Sequence, residues 1–378
     1  MNALSTSPCR ICIHLDRIQR NFKRIAPVER LIPVVKADAY GHGLLPVTQA
    51  LAQCGARSFA VNTVSEALDL RAEGLGDAAN DGAFCLALLG APTAEEMTQA
   101  ATADIVPIVH DHHSLNLAAA HGSPDRPLRI AVKWNTGMAR LGFSPEDAPA
   151  LIERLSSLPN LKPVLCVSHL AAADAPEQDG YTHQQIHIFT TIVQHMRRFP
   201  AVRATLANSA AALGHPSAAF DLVRPGIALY GGNPFHGTCR AELGAELERA
   251  MDVGAPVLHI RRIRAGEKLG YGRAFTAPRD MRIGIIGIGY SGGYARAFSN
   301  RGQIMARGKR VAILGRVCMD MIFIDLSETP DVQSGDTAWL LGGPEANAVA
   351  IGELADAWGS ISYEVFCLLG RNPRAYLA

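Results

Sequence analysis

The stretch Val34-Val35-Lys36-Ala37-Asp38-Ala39-Tyr40-Gly41-His42-Gly43 is an apolar run that ends on a lysine and breaks at once into glycines. Leu31 to Val35 is short, rich in branched residues and closed by turn formers, so it reads as a buried strand with Lys36 at its carboxyl end. An amine desolvated at the mouth of an apolar strand loses part of its preference for the charged form and becomes a nucleophile toward carbonyls. The competing reading is a strand-end lysine whose ammonium reaches out to water. Gly41 and Gly43 allow a tight turn and close approach to a ligand, and Tyr40 offers a hydroxyl beside them.

Working outward, short apolar runs alternate with helix-like segments. The expected strands are Leu31 to Lys36, Arg57 to Val61, Phe84 to Leu89, Ile105 to Val109, Leu128 to Trp134, Leu161 to Ser168, Val202 to Ala207 and Leu222 to Leu229. Between them, segments such as Leu44 to Gln53, Ser65 to Glu73, Ala94 to Ala101 and Tyr181 to Phe199 have helical spacing. This alternation suits a (β/α)8 TIM-type barrel, with a doubly wound open sheet as the alternative. The chemistry-bearing residues favour the barrel, because they fall at the carboxyl ends of many strands. Lys36 ends the first, and Lys133 and Trp134 the fifth; His169 follows the sixth, Asn208 and Ser209 the seventh, and Arg224 with Gly226 belongs to the eighth. Asn208-Ser209-Ala210 reads as a helix start whose N–H groups suit an anion, or as a simple cap.

After Gly231-Gly232-Asn233-Pro234 the pattern changes to strands and tight turns: Val257 to Ile263, Met281 to Tyr290, Gln303 to Ala306, Arg310 to Leu314, Met321 to Leu326 and Thr337 to Leu341. A mainly β C-terminal domain is expected. Gly287-Ile288-Gly289-Tyr290-Ser291-Gly292 fits a dinucleotide fingerprint by letter, but no opening βαβ unit surrounds it. The His110-Asp111-His112-His113 group, expected in a connection, and the helical pair His183 and His187 lack a third ligand in evident reach. The eight cysteines show no framework spacing beyond the lone pair Cys9 and Cys12, so neither a metal nor a disulfide scaffold is expected.

The 378 residues suffice for two domains, with 48% hydrophobic and 19% charged residues. A net charge of +1 gives no electrostatic case for nucleic acid or an anionic membrane. Neither a signal peptide nor a run long enough to span a bilayer is visible, and the cytoplasm is the expected location.

The ordered series Val34 to Gly43, Thr136-Gly137-Met138-Ala139-Arg140-Leu141-Gly142, Ser168-His169, Asn208-Ser209-Ala210, Arg224-Pro225-Gly226-Ile227-Ala228-Leu229-Tyr230-Gly231, Gly270-Tyr271-Gly272, Gly315-Arg316-Val317-Cys318-Met319-Asp320 and Ser362-Tyr363-Glu364-Val365 resembles the alanine racemase family, nearly end to end. The resemblance implies a pyridoxal 5′-phosphate enzyme interconverting L- and D-alanine, for cell-wall synthesis or alanine catabolism. It implies that Lys36 carries the cofactor as an aldimine and is the base on one face of the substrate, with Tyr271 of a second subunit on the other. Arg224 would bond the pyridine nitrogen, and His169 would support Arg224. Tyr40, Ser209, Gly226, Ile227 and Tyr363 would meet the phosphate, with Asn208 also in the cofactor site. Arg140 and the Met319 N–H would take the substrate carboxylate. Lys133 stands where relatives often have a carbamylated lysine, and Tyr290, Tyr363, Asp174, Arg296 and Arg316 would line the entrance. Domains of 1–12 (joining the β domain), 13–236 and 237–378, paired as a head-to-tail homodimer, follow from the same resemblance.

The chain departs from the family pattern at Asn135, Leu170, His14 and Gly292, none of them a base, the cofactor lysine or the pyridine arginine. Two other classes remain in view. A decarboxylase of similar architecture would usually pair the pyridine nitrogen with an acid rather than Arg224. A non-catalytic cofactor carrier would need neither Tyr271 nor Met319.

Overall fold

The computed structural model describes residues 8–77, 83–344 and 347–378. Residues 1–7 of the expected N-terminal segment therefore lie outside the described part. Six parallel strands, Phe59–Val61, Cys85–Ala87, Val106–Val109, Leu128–Lys133, Leu161–Val167 and Arg203–Thr205, lie side by side in chain order. Helices between them start on sequence-encoded caps: the side chains of Thr63, Thr93 and Asp111 each accept a backbone N–H from three residues on.

The remaining two barrel positions are occupied by irregular chain rather than by regular strands, a correction to the expected Leu31 to Lys36 and Leu222 to Leu229. Parallel bridges join Leu31 to Val223, Val34 to Ala60 and Thr205 to Leu222, and these close the (β/α)8 barrel. Pro33 and Pro225 have no N–H to donate, so the ladder on one side of each lacks a donor, while Ile32 N–H still bonds the Val223 carbonyl at 2.9 Å and Val34 N–H that of Pro225 at 2.8 Å. Beyond Gly226 the eighth segment leaves the barrel wall altogether and coils as the 3-10 turn Ile227–Tyr230.

In the C-terminal half, Met281–Ile286, Ile322–Asp325, Lys309–Leu314, Gln303–Ala306, Thr337–Leu341 and Met251–Ile263 form a ring, because the first of these also pairs with the last. Arg10–His14 pairs antiparallel with the first residues of Met251–Ile263 and takes Arg374–Leu377 as a parallel neighbour, so the beginning and end of the described chain share one sheet. Two helices interrupt the β pattern, Ile351–Trp358 and Ser362–Leu369, where the sequence reading had none. One apolar core runs through both halves, from Phe22 and Phe59 to Phe298 and Phe366.

His112 and His113 begin the helix His112–His121 rather than sitting in a connection, and both are exposed. His183 and His187 lie on the solvent face of Asp179–Met196. Among the described residues no group of three or more His, Cys, Asp or Glu could hold a metal ion, and no helix is long and apolar enough to cross a membrane.

Candidate active site

Lys36 leaves the barrel wall and the chain at once turns left-handed. Ala37, Asp38, Ala39 and Tyr40 have φ of 53°, 54°, 52° and 54°, and Gly41 follows at 80°. Four successive non-glycine residues in this region cost roughly 1–2 kcal/mol each, so the surroundings must over-determine the turn. They do so with side chains from three directions. Glu66 Oε1 accepts the Ala37 N–H at 2.9 Å. Asp38 Oδ1 accepts the Leu44 N–H at 2.7 Å, while its other oxygen takes Arg374, which also donates to the Gly41 carbonyl at 3.1 Å. His42 Nδ1 donates to the carbonyls of Ala39 and Tyr40 at 3.0 and 3.1 Å. Burial holds His42 neutral, with its pKa lowered to about 3, and its ring stacks on Tyr230 at 4.5 Å.

The turn delivers Lys36 and Tyr40 to a cavity of about 520 Å³ at the carboxyl ends of the strands. The same cavity gathers Lys133, Arg140, His169, Asn208, Ser209, Arg224, Gly226, Ile227 and Tyr363. With Lys36, four of the lining side chains are lysine or arginine, and no aspartate or glutamate lines the cavity among the described residues. Burial, then the neighbouring Arg140, lowers the Lys36 pKa. Burial, then Arg140, Arg224 and Lys36, lowers that of Lys133 to about 8.

Arg224 is fully buried, and burial alone brings its pKa down to about 10. Its Nη1 donates to Thr205 Oγ1 at 2.6 Å and its Nη2 to the Ser168 carbonyl at 2.6 Å, with a longer contact to His169 Nδ1 at 3.5 Å. Burial, then the positive charge of Arg224, takes the His169 pKa to about 3, so its Nδ1 is an acceptor and the ring proton sits on Nε2. A guanidinium held by neutral partners alone has charge to share with an anion or a lone pair.

Asn208 is the cap of Ser209–Gly214, its Oδ1 accepting the Ala211 N–H at 3.0 Å. That leaves the Ser209 hydroxyl to face the eighth segment, where it meets the N–H groups of Gly226 and Ala228 at 2.9 and 3.3 Å. A Cβ on Gly226 would lie 2.5 Å from the Tyr40 hydroxyl, so glycine keeps this cradle open. Tyr363, on the helix Ser362–Leu369, leans its ring 5.8 Å from that of Tyr40. These groups suit a phosphate, and with the uncompensated cations they fit a dianionic pyridoxal phosphate.

Other residues singled out in the sequence do not join this cavity. Tyr271, Met319 and Tyr290 are surface residues of the β domain, 70%, 54% and 44% exposed. They sit close to one another through short stretches of backbone: Tyr290 N–H bonds the Cys318 carbonyl, and Arg316 packs beside Gly272. Arg296 opens a neighbouring 3-10 turn. Asp174 comes near Tyr363, whose pKa rises through burial and, less, through that carboxylate. Asn135, one of the departures, uses its Oδ1 to accept the N–H groups of Gly137 and Ala139 at 3.2 and 2.9 Å, a task an aspartate oxygen would also perform. His14, another, bonds Asp252 at 2.8 Å.

Sequence reasoning missed Glu66, Thr205, Cys367 and the Asp38–Arg374 pair. The capping box Thr63-x-x-Glu66 was legible as a pattern, but nothing local showed that its carboxylate also reaches Ala37.

Residues 13–234 match the family description "Alanine racemase, N-terminal domain", and residues 250–376 match "Alanine racemase, C-terminal domain". The chain is 48% identical over 375 residues to an alanine racemase of Nitratidesulfovibrio vulgaris, covering 99% of this chain and 98% of the relative. Its fold is similar to the crystal structure of a biosynthetic alanine racemase from Pseudomonas aeruginosa, with a TM-score of 0.87 and 35% identity, covering 99% of this chain and all (100%) of that one. It is also similar to the alanine racemase of Bartonella henselae solved with covalently bound pyridoxal phosphate, with a TM-score of 0.85 and 28% identity, over 98% and 99% of the two chains.

Proposed function

The chain belongs to the alanine racemase family and interconverts L- and D-alanine with pyridoxal 5′-phosphate, and from this premise we propose how its own residues divide the work. The cofactor supplies an electron sink that makes the substrate Cα–H acidic. Lys36 anchors it through its amine and moves a proton at one face of Cα. Tyr271 of the partner subunit moves a proton at the opposite face through its hydroxyl. Racemisation needs both, because a proton taken from one side must be returned from the other.

Tyr40, Ser209, the backbone of Gly226 and Ile227, and Tyr363 hold the phosphate, with Asn208 fixing the helix start beneath it. Arg224 would meet the pyridine nitrogen of the bound cofactor and, keeping its own proton, would leave that nitrogen unprotonated; His169 braces the guanidinium. Arg140 and the Met319 N–H of the partner subunit orient the substrate carboxylate. Lys133, whose lowered pKa makes a neutral amine accessible near pH 8, carries a carbamate that turns a repulsive neighbour of Arg140 into an attractive one. Tyr290, Asp174, Arg296, Arg316 and Tyr363 form the entrance. The chain divides at 1–12, 13–236 and 237–378, and the protein works as a head-to-tail homodimer in the cytoplasm.

The observation that carries this reading is Arg224, buried without an acid in a cavity whose other charges are also positive. The test is circular dichroism of L-alanine, and separately D-alanine, incubated with wild type, Lys36→Ala and Tyr271→Phe. Both enantiomers should decay to an equal mixture with wild type, and each substitution should sharply impair both directions. Optical activity left unchanged by a cofactor-loaded wild type would sink the assignment.

A further inference from the structure

We propose that Glu66 is a positioning residue for Lys36: its carboxylate fixes the first peptide of the left-handed turn and so sets how the lysine amine and the Tyr40 hydroxyl face the cofactor. The inference rests on the reading of Lys36 as the cofactor anchor.

Glu66 is the third residue of Val64–Ala72, where a glutamate ordinarily folds back to cap its own helix. One oxygen does this, with Oε2 accepting the N–H groups of Asn62 at 2.6 Å and Thr63 at 3.3 Å. The other leaves the helix and accepts the Ala37 N–H at 2.9 Å. That N–H belongs to the peptide joining Lys36 to Ala37, so the bond holds the Lys36 backbone and the first positive φ of the turn together. A single carboxylate thereby ties the first barrel segment to the exit of the second.

Its charge matters as well as its shape. The groups that act on the Lys36 amine are Arg140, Glu66 and the Cys367 thiol, among which Glu66 is the one carboxylate, and Lys133 lies close enough for its own amine to feel Lys36. Without it the amine would face two cations and a thiol.

The experiment compares the cofactor-loaded full-length protein with Glu66→Gln and with Thr63→Ala, which weakens the same helix cap but leaves the carboxylate in place. Three quantities are read without substrate: the pH titration of the bound cofactor's visible absorption, the rate of cofactor loss after gel filtration, and the melting temperature. Glu66→Gln should lower the titration midpoint by about one pH unit, a tenfold change in proton affinity. It should also release cofactor on the order of tenfold faster, as expected for a lost charge-assisted bond. Thr63→Ala should lower the melting temperature while leaving midpoint and release rate alone. The proposal is overturned if Glu66→Gln matches wild type in both cofactor readings, or if Thr63→Ala shifts them equally. Should Glu66→Gln not fold, Glu66→Asp keeps the charge but withdraws it from Ala37, and faster release with a nearly unchanged midpoint is then expected; release at the wild-type rate overturns the proposal. A Lys36→Ala protein that kept the wild-type absorption would instead overturn the anchor reading itself.

Discussion

Lys133 and Arg224 show what burial does to a cation when the protein provides no acid. The Lys133 amine is buried beside Arg140, Arg224 and Lys36, and its pKa falls from the usual lysine value to about 8. Below about pH 8 both folded and unfolded chains carry the proton and the full penalty is felt. Between there and the ordinary lysine value the unfolded chain binds more protons, so stability rises with pH and the penalty fades. Lys133→Met should therefore stabilise carbon dioxide-free, cofactor-free protein at pH 7 by roughly 2 kcal/mol, and the gain should vanish toward pH 10.5. Urea unfolding of both proteins across that range checks it. A gain independent of pH would mean that packing, not charge, set the difference. Conversion of Lys133 to a carbamate removes the same penalty by chemistry, and mass spectrometry under carbon dioxide should find an adduct absent from Lys133→Met.

At the scale of the element, the left-handed turn is tightly enclosed. Gly41 lies against the helix Ser362–Leu369, and a Cβ there would sit 2.6 Å from the Phe366 carbonyl oxygen and 2.9 Å from Gly370 Cα. With φ of 80° in addition, Gly41→Ala should cost about 2–4 kcal/mol in denaturant unfolding and should weaken cofactor retention. The short helix Ser209–Gly214 separates two roles that the sequence left merged at its start. Asn208→Ala removes the cap and should cost about 1 kcal/mol with little direct effect on the phosphate. Ser209→Ala should instead raise the cofactor concentration needed for half-saturation, measured by absorption, with a smaller loss of stability. Equal effects of the two changes on cofactor binding would contradict that division.

For the whole molecule, the exposed Tyr271 and Met319 are the test of assembly, since neither reaches the cavity of its own chain. If each site takes Lys36 from one subunit and Tyr271 from the other, mixing inactive Lys36→Ala with inactive Tyr271→Phe chains restores intact sites. Random pairing at equal amounts should recover about a quarter of wild-type activity, because half the dimers are mixed and each mixed dimer has one complete site. Sites built within single chains would give none. Coupling between the domains also runs inside one chain: Arg374, in the strand beside Arg10–His14, holds Asp38 and the Gly41 carbonyl of the lysine turn.

Read alone, the sequence determined the alternation of strand and helix, the change to a β domain, and the positions of Lys36, Lys133, His169, Ser209 and Arg224 at or near the carboxyl ends of the barrel segments. These are matters of local periodicity and of which residue follows which, and they survive without coordinates. Resemblance extended them to Tyr271 and Met319. Tertiary structure decided the rest. Pro33 and Pro225 made two barrel walls irregular because their neighbours' ladders lost donors. The turn after Lys36 became left-handed because Glu66, 29 residues beyond Ala37, and Arg374, 336 residues beyond Asp38, supply its partners. Whether Arg224 met an acid was likewise settled by what packed around it. Such bonds join residues that share no spacing along the chain, so only folding brings them within reach of one another.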